Sequence, residues 1–155
     1  MSDITVLDLN KLIARSEFNR QALVQLICAD DCPDCRGHQK VDPHCATCKG
    51  RGWVDVLDRQ WVSHVVEAYY RAAINPVMLP ANGRMERALA LVLNGNVHVD
   101  GEAISVTSST DASKSYAIDG HDCTCPDSRA PVIAGRKACK HQIAAWLLLK
   151  AQAAK

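Results

Sequence analysis

Eight potential metal ligands in two tight groups constrain this 155-residue chain more than any other feature. The first group consists of two C-x-x-C pairs separated by nine residues. The second has a C-x-C pair, a gap of thirteen residues and a C-x-H pair. Because each group offers four donors, the spacing predicts two four-coordinate zinc ions per chain. The predicted ligands are Cys32, Cys35, Cys45, Cys48, Cys123, Cys125, Cys139 and His141.

The start of the chain and its composition indicate a cytoplasmic globular protein. "MSDITVLDLNKL" has no basic stretch before an apolar segment, so it is not a secretory signal. No run approaches eighteen apolar residues, so neither a membrane span nor a membrane partner is expected. Thiols stay reduced in the cytoplasm, which favours metal ligation over disulfides.

The N-terminal half is predicted to be helical, with a cysteine-rich insert. Apolar periodicity predicts helices within residues 8–29 and over residues 58–74. Residues 30–57 are rich in Cys, Asp, Gly and Pro and are too polar to form a core of their own, apart from a short strand in "WVDVL". We expect a metal ion to hold this insert. The predicted helix caps are Asp8, Ser16 and Asp58.

The C-terminal half is predicted to contain a helix, a β-meander and a second helix. A helix is expected over residues 84–94, followed by alternating strands and a last helix from about Lys137. Prolines 76 and 80 and Gly83 interrupt the chain before this half. The sequence thus predicts a small, zinc-stabilised α+β protein with domains at 1–79 and 80–155, and the proline break should decouple the two halves.

The second ligand group resembles the SWIM zinc finger, whose signature is C-x-C, a variable gap and C-x-H. "SYAIDGHDCTCPD" is similar to the strand of that family that leads into C-x-C, and "CKHQIAAWLLL" is similar to its final helix. With "RALALVLNGNVHV" before them, the similarity covers roughly residues 84–150. It implies a SWIM-like domain that binds one zinc ion. The alternative is that these residues are buried as small hydrophobic side chains.

The first ligand group resembles the zinc knuckles of the DnaJ cysteine-rich domain. "CATCKGRG" has the pattern C-x-x-C-x-G-x-G, whereas "CPDCRGHQ" has Gln39 in place of the last glycine. That family uses four such elements for two zinc ions, so two elements suffice for one. A J-domain signature is absent, and chaperone activity is not implied. A redox-active C-x-x-C pair is the alternative.

Several nearby residues have open roles. Cys28 is either a core thiol or an additional ligand, and a redox-sensing role with the knuckles is a further alternative. Trp53, Trp61 and Trp146 are core anchors or stacking platforms. The histidines that lie close to the two groups are substitute ligands or solvated loop residues, namely His38, His44 and His121.

The ligand sets predict a protein that is not an enzyme. A catalytic zinc keeps one coordination position open, whereas both predicted sites are full. The chain has no H-E-x-x-H, P-loop or G-x-S-x-G motif, so no small-molecule substrate is expected.

Two classes of partner remain. The SWIM resemblance implies nucleic-acid binding, DNA more than RNA, in an accessory or regulatory role. Basic residues beside both sites fit phosphate contacts, although they would equally neutralise zinc-bound thiolates. The net charge of +1 favours the alternative, a protein–protein adaptor. The candidate partner-binding residues are Lys49, Arg51, Arg129, Arg136, Lys137 and Lys140.

Overall fold

The computed structural model describes residues 3–36, 41–73, 83–119, 122–129 and 138–154. Within these ranges the chain forms five helices of at least nine residues, one four-residue helix and two antiparallel sheets. The predicted α+β class is therefore confirmed.

The first helix, α1 (Val6–Arg15), begins with a capping box. The hydroxyl of Thr5 accepts a hydrogen bond from the backbone N–H of Asp8, and the Asp8 carboxylate accepts one from the N–H of Thr5. The predicted cap at Asp8 is wrong by three positions, because the capping residue of such a box stands three residues before its acidic partner. Ser16 ends α1 and caps no second helix.

Helices α2 (Arg20–Cys28) and α3 (Arg59–Ala73) lie against each other on either side of the insert. Asn19 caps α2 through its side-chain oxygen. Asp58 caps α3 as predicted, since its carboxylate accepts backbone N–H bonds from the first turn. The two helices thus hold both ends of the insert.

A two-stranded sheet forms the base of the insert. Strands β1 (Ala29–Asp31) and β2 (Trp53–Asp55) are antiparallel, with Asp30 opposite Val54. The strand predicted in "WVDVL" is confirmed over its first three residues. Its partner β1 directly follows α2, so the insert leaves the helices as a hairpin.

The C-terminal half follows the predicted order of helix, meander and helix. Helix α4 (Arg84–Leu93) ends before Gly95, which has a φ of 72°. A four-stranded antiparallel sheet in the order β3-β4-β5-β6 comes next. A short helix α5 (Pro126–Arg129) follows it. The strands are β3 (Val97–Asp100), β4 (Ala103–Thr107), β5 (Ser115–Asp119) and β6 (Asp122–Cys123).

The last helix, α6 (Lys140–Ala153), lies at the centre of the molecule. It packs against α3, α4 and all four strands of the larger sheet. Helices that are apolar on most sides are buried in this way. Among the described helices, none combines the length and apolar character needed to cross a bilayer.

One hydrophobic core contains residues from both predicted domains. Leu9 and Val66 of the N-terminal half belong to the same buried cluster as Leu89 and Leu147. The predicted boundary between residues 79 and 80 falls in the segment 74–82, outside the described residues. The two-domain division therefore stays a prediction, and the common core leads us to expect the two halves to unfold together.

Candidate metal centres

The four insert cysteines bring their sulfur atoms together into a first tetrad. All four Sγ atoms lie within 4.8 Å of one another. The Sγ atoms of Cys32 and Cys45 are 3.8 Å apart, and those of Cys35 and Cys48 are 3.7 Å apart. Four sulfurs at Zn–S distances of about 2.3 Å in a tetrahedron are separated by about 3.8 Å. The tetrad therefore fits a tetrahedral metal ion.

The backbone of the second knuckle requires glycine. Gly50 has a φ of 78°, and a Cβ there would lie 2.9 Å from the carbonyl oxygen of Pro43. Gly52 has a φ of 79°, and its N–H points at Cys48 Sγ over 3.3 Å. This turn lets the chain return past its own thiolate, which explains the C-x-G-x-G pattern. The corresponding Gly37 lies outside the described residues.

The thiols of the first tetrad differ in their pKa values. Burial of Cys48 opposes its ionisation, but the Gly52 N–H and the neighbouring thiols lower its pKa to about 7. The backbone N–H of Asp42 favours a thiolate at Cys35, but burial and the other thiols raise the pKa of Cys35 to about 12. Ionising all four groups together therefore needs a bound cation.

The first tetrad has little apolar support. Its cysteines are at most 9% exposed, yet Val54 is the one partly buried hydrophobic residue that packs against them in the described part of the chain. A hydrogen bond from the Thr47 hydroxyl to the Asp34 carboxylate joins the two knuckles. A metal ion is thus the main element able to hold this cluster together.

The second tetrad is built around the start of α6. Cys139 is the capping residue of that helix, and its N–H donates to the side-chain oxygen of Gln142 at 2.9 Å. Two positions later, His141 faces the same site, with Nδ1 3.9 Å from Cys123 Sγ. Together with Cys125, these ligand atoms lie within 4.8 Å of one another. The predicted last helix is confirmed, and it begins at the C-x-H pair, with Cys139 as its cap and Lys140 as its first residue.

The residues of the second tetrad are at most 6% exposed. Burial, and next the charge of Lys140, lower the pKa of His141 to about 4, so its imidazole is neutral and able to donate a lone pair. Burial raises the pKa of both Cys123 and Cys139, despite backbone hydrogen bonds that favour their thiolates. A dication would offset this cost and form a closed site with these ligands.

Two contacts near the tetrads were not predicted. The Tyr116 ring lies 4.7 Å from the ring of His141, centroid to centroid, and so orients this ligand. The Trp53 ring is contacted by the guanidinium groups of Arg51 and Arg59, at 4.4 and 5.3 Å from its centroid. No local sequence pattern predicts these pairs. Tyr116 and His141 are far apart in the sequence, and the Arg51 and Arg59 contacts with Trp53 depend on the backbone turn that precedes β2.

The residues predicted to bind a partner, and those with open roles, lie in several different places. Lys49 and Arg51 are exposed beside the first tetrad, and Lys140 is partly buried beside the second. Cys28 lies in the main hydrophobic core and belongs to neither tetrad. His44 is exposed. The Arg129 side chain, Arg136, Lys137, His38 and His121 lie outside the described part of the chain.

No protein-family model matches this sequence, and neither a curated protein nor a solved structure is found to match the chain. The SWIM and DnaJ resemblances therefore stay predictions based on ligand spacing. The structure itself gives two clusters of cysteine and histidine that can each bind a metal ion.

Proposed function

We propose that this chain is a non-enzymatic zinc protein that binds two ions and acts as a nucleic-acid-binding accessory factor, with DNA as the preferred partner. The arrangement of two four-ligand clusters carries the proposal. Sulfur and imidazole donors in tetrahedral sets are the ligands of structural zinc. With all four positions taken by protein atoms, neither ion has a place for a catalytic water.

The charge around the second tetrad supports a polyanionic partner. Residues 122–141 contain two Asp and four Lys or Arg. A zinc ion with three thiolates adds a charge of about −1, which leaves this segment positive. The insert, residues 30–57, contains five Asp and four Lys or Arg, and its zinc with four thiolates adds about −2. A phosphate backbone is therefore attracted to the second site and repelled by the first.

The proposed role of the second zinc ion is to position a basic segment. Cys125 and Cys139 bind the same ion in this proposal, so the thirteen residues between them form a closed loop. Arg136 and Lys137 are three and two residues before Cys139, and Lys140 follows it. A backbone that contacts three such groups would have a salt slope of about −2 to −3.

A mobility-shift assay tests the proposal. The zinc-loaded chain is titrated with single- and double-stranded DNA and with RNA at several salt concentrations. The triple variant Arg136→Glu, Lys137→Glu, Lys140→Glu is expected to lose DNA binding at least tenfold while retaining two zinc ions. Its matched control is Lys11→Glu, Arg15→Glu on α1, which should bind as the parent does. Equal binding by parent and triple variant, or no binding by the parent at low salt, contradicts the proposal.

A second candidate is a protein–protein adaptor that uses the insert. The negative charge of the zinc-loaded insert disfavours nucleic acid at that end of the molecule. Its half-buried Trp53 contacts Arg51 and Arg59, and Trp and Arg are residue types enriched at protein interfaces. The two candidates are compatible, because they use different metal centres.

A further inference from the structure

The outer edge of β2 has backbone groups without a partner among the described residues. The N–H of Cys32 donates to Gly52, and the N–H of Val56 donates to Cys28, so these residues face each other across the hairpin. Bonded pairs alternate along an antiparallel ladder. The N–H and C=O groups of Trp53 and Asp55 therefore point away from β1. Among the described residues, no hydrogen bond occupies them.

At the edge of β1, in contrast, both outward N–H groups are occupied. The N–H of Ala29 donates to the carbonyl of Gln25 at the end of α2. The N–H of Asp31 donates to the carboxylate of Asp30 at 2.8 Å. Natural proteins block exposed strand edges in such ways to prevent pairing with other chains. In the described part of the chain, β2 has no such hydrogen bonds, so its edge is the open one of the hairpin.

Cationic and aromatic side chains surround the open edge. Arg51 and Arg59 both contact the Trp53 ring, and Lys49 is exposed on the turn before them. Asp55 is already paired with Arg59. Lys49 and Arg51 have no carboxylate partner among the described residues. Acidic side chains of a neighbouring strand would complement these two cations.

We propose that the outer edge of β2 binds an extended, acidic segment of a partner protein by strand addition. The backbone groups of Trp53 and Asp55 would pair with the segment, and Lys49 and Arg51 would select its carboxylates. In this type of recognition the main chain provides affinity and side chains provide specificity. The proposal uses a different surface from the nucleic-acid site, so either can fail without the other.

A cleft between α2 and α3 shares Arg59 with the Trp53 contact. Arg59, at the end of the Trp53 contact, also lines a cavity of about 510 Å³ between α2 and α3. Val24 and Val66 contribute its apolar lining. A bound segment that continues past Arg59 would meet these apolar side chains. Because the zinc-loaded insert is negative as a whole, the segment must be short and must bring its carboxylates into direct contact with Lys49 and Arg51, whose attraction is short-ranged in salt.

Binding of blocked peptides to the zinc-loaded full chain tests the proposal. The probe is a hexapeptide of alternating glutamate and valine, and its control replaces glutamate by lysine. Amide hydrogen exchange measured by NMR should slow at least tenfold at Trp53 and Asp55 when the glutamate peptide is added. The lysine peptide should bind at least tenfold more weakly. Two further peptides carry N-methyl groups on every second amide, one at the odd and one at the even positions. Each removes the N–H donors from one edge of the peptide strand, so at least one of the two peptides should bind at least tenfold more weakly.

Two protein variants separate side-chain selection from folding. Lys49→Glu and Arg51→Glu should each weaken binding of the glutamate peptide at least threefold, with two zinc ions retained. Arg15→Glu on α1 is the matched control and should have no effect. The proposal is overturned if neither methylation pattern weakens binding, if the peptides do not bind, or if Trp53 and Asp55 stay unprotected. Protection of these amides by single-stranded DNA but not by the peptide would also overturn it.

Discussion

The four-cysteine centre of the insert and the three-cysteine, one-histidine centre at α6 contain similar ligand atoms in different surroundings. Within the described chain, Val54 is the one partly buried hydrophobic residue that packs against the insert cysteines. At the second centre, Cys139 and His141 begin the helix that contributes Ile143 and Leu147 to the main core. The first metal ion should therefore order one hairpin, and the second should anchor the whole fold.

The largest expected effect is at the second centre. Cys139→Ser should destabilise both halves of the chain, because α6 packs against α3 and α4. Structural zinc contributes about 10–16 kcal/mol in small sites, comparable to the whole net stability of a domain. Denaturant unfolding followed by circular dichroism measures this effect. The matched variant Cys32→Ser should leave the cooperative transition of the helices intact.

The outcome of Cys139→Ser also tests the predicted domain boundary. If proton NMR of the variant shows residues 3–73 folded while α4 and α6 are lost, the halves are independent and the second centre does not anchor the whole fold. Loss of both halves together would support one common core.

Metal removal should occur in two steps. Elemental analysis of the purified chain should find two zinc ions. A chelator should remove the insert ion first, since Cys35 and Cys45 are each 9% exposed and apolar packing around them is sparse. Helical circular dichroism should persist through this step and fall during the second. A zinc content of one or zero, or simultaneous loss of both ions with the helices, would contradict this order.

Two glycine substitutions distinguish a steric clash in the zinc knuckle from the backbone strain of a positive φ. Gly50→Ala should weaken zinc binding in the insert at least tenfold, because its Cβ would meet the Pro43 carbonyl at 2.9 Å. Gly101→Ala is the control: its φ is also positive, at 61°, but nothing lies within 4 Å. The control costs about 1–2 kcal/mol of backbone strain and should leave both zinc affinities unchanged. Competition titration with a chromophoric chelator gives both values, and equal effects of the two variants would refute the steric argument.

The smallest expected effect concerns Tyr116 at the second centre. Tyr116→Ala should weaken zinc binding there by about 0.5–1.5 kcal/mol, the usual contribution of a paired aromatic contact. Tyr116→Phe should bind zinc as the parent does, because the ring and not the hydroxyl contacts His141. Cobalt substitution allows the absorption of each site to be followed. An equal loss in both variants would show that ring packing does not orient the ligand.

The two Cys/His tetrads and the main helices could be predicted from the amino-acid sequence. Ligand spacing is a local property, so short turns such as C-x-x-C bring donors together wherever the chain folds. The helix over 58–74 and its cap at Asp58 were likewise predictable, because periodicity and capping act within a few residues. The misplaced cap at Asp8 shows the limit of this reasoning, since Thr5 and Asp8 are both capable partners and only backbone geometry assigns their positions.

The way in which these parts pack together could not be predicted from local sequence patterns. The tertiary structure placed Leu9 and Leu147 in one core, although they are far apart in the chain and no local pattern links them. It set Tyr116 against His141, and among the described residues it occupied the outward N–H groups of β1 but not those of β2. Such features depend on which surfaces meet after folding. Hydrophobic burial is non-directional, so the packing of the whole chain determines which side chains come into contact.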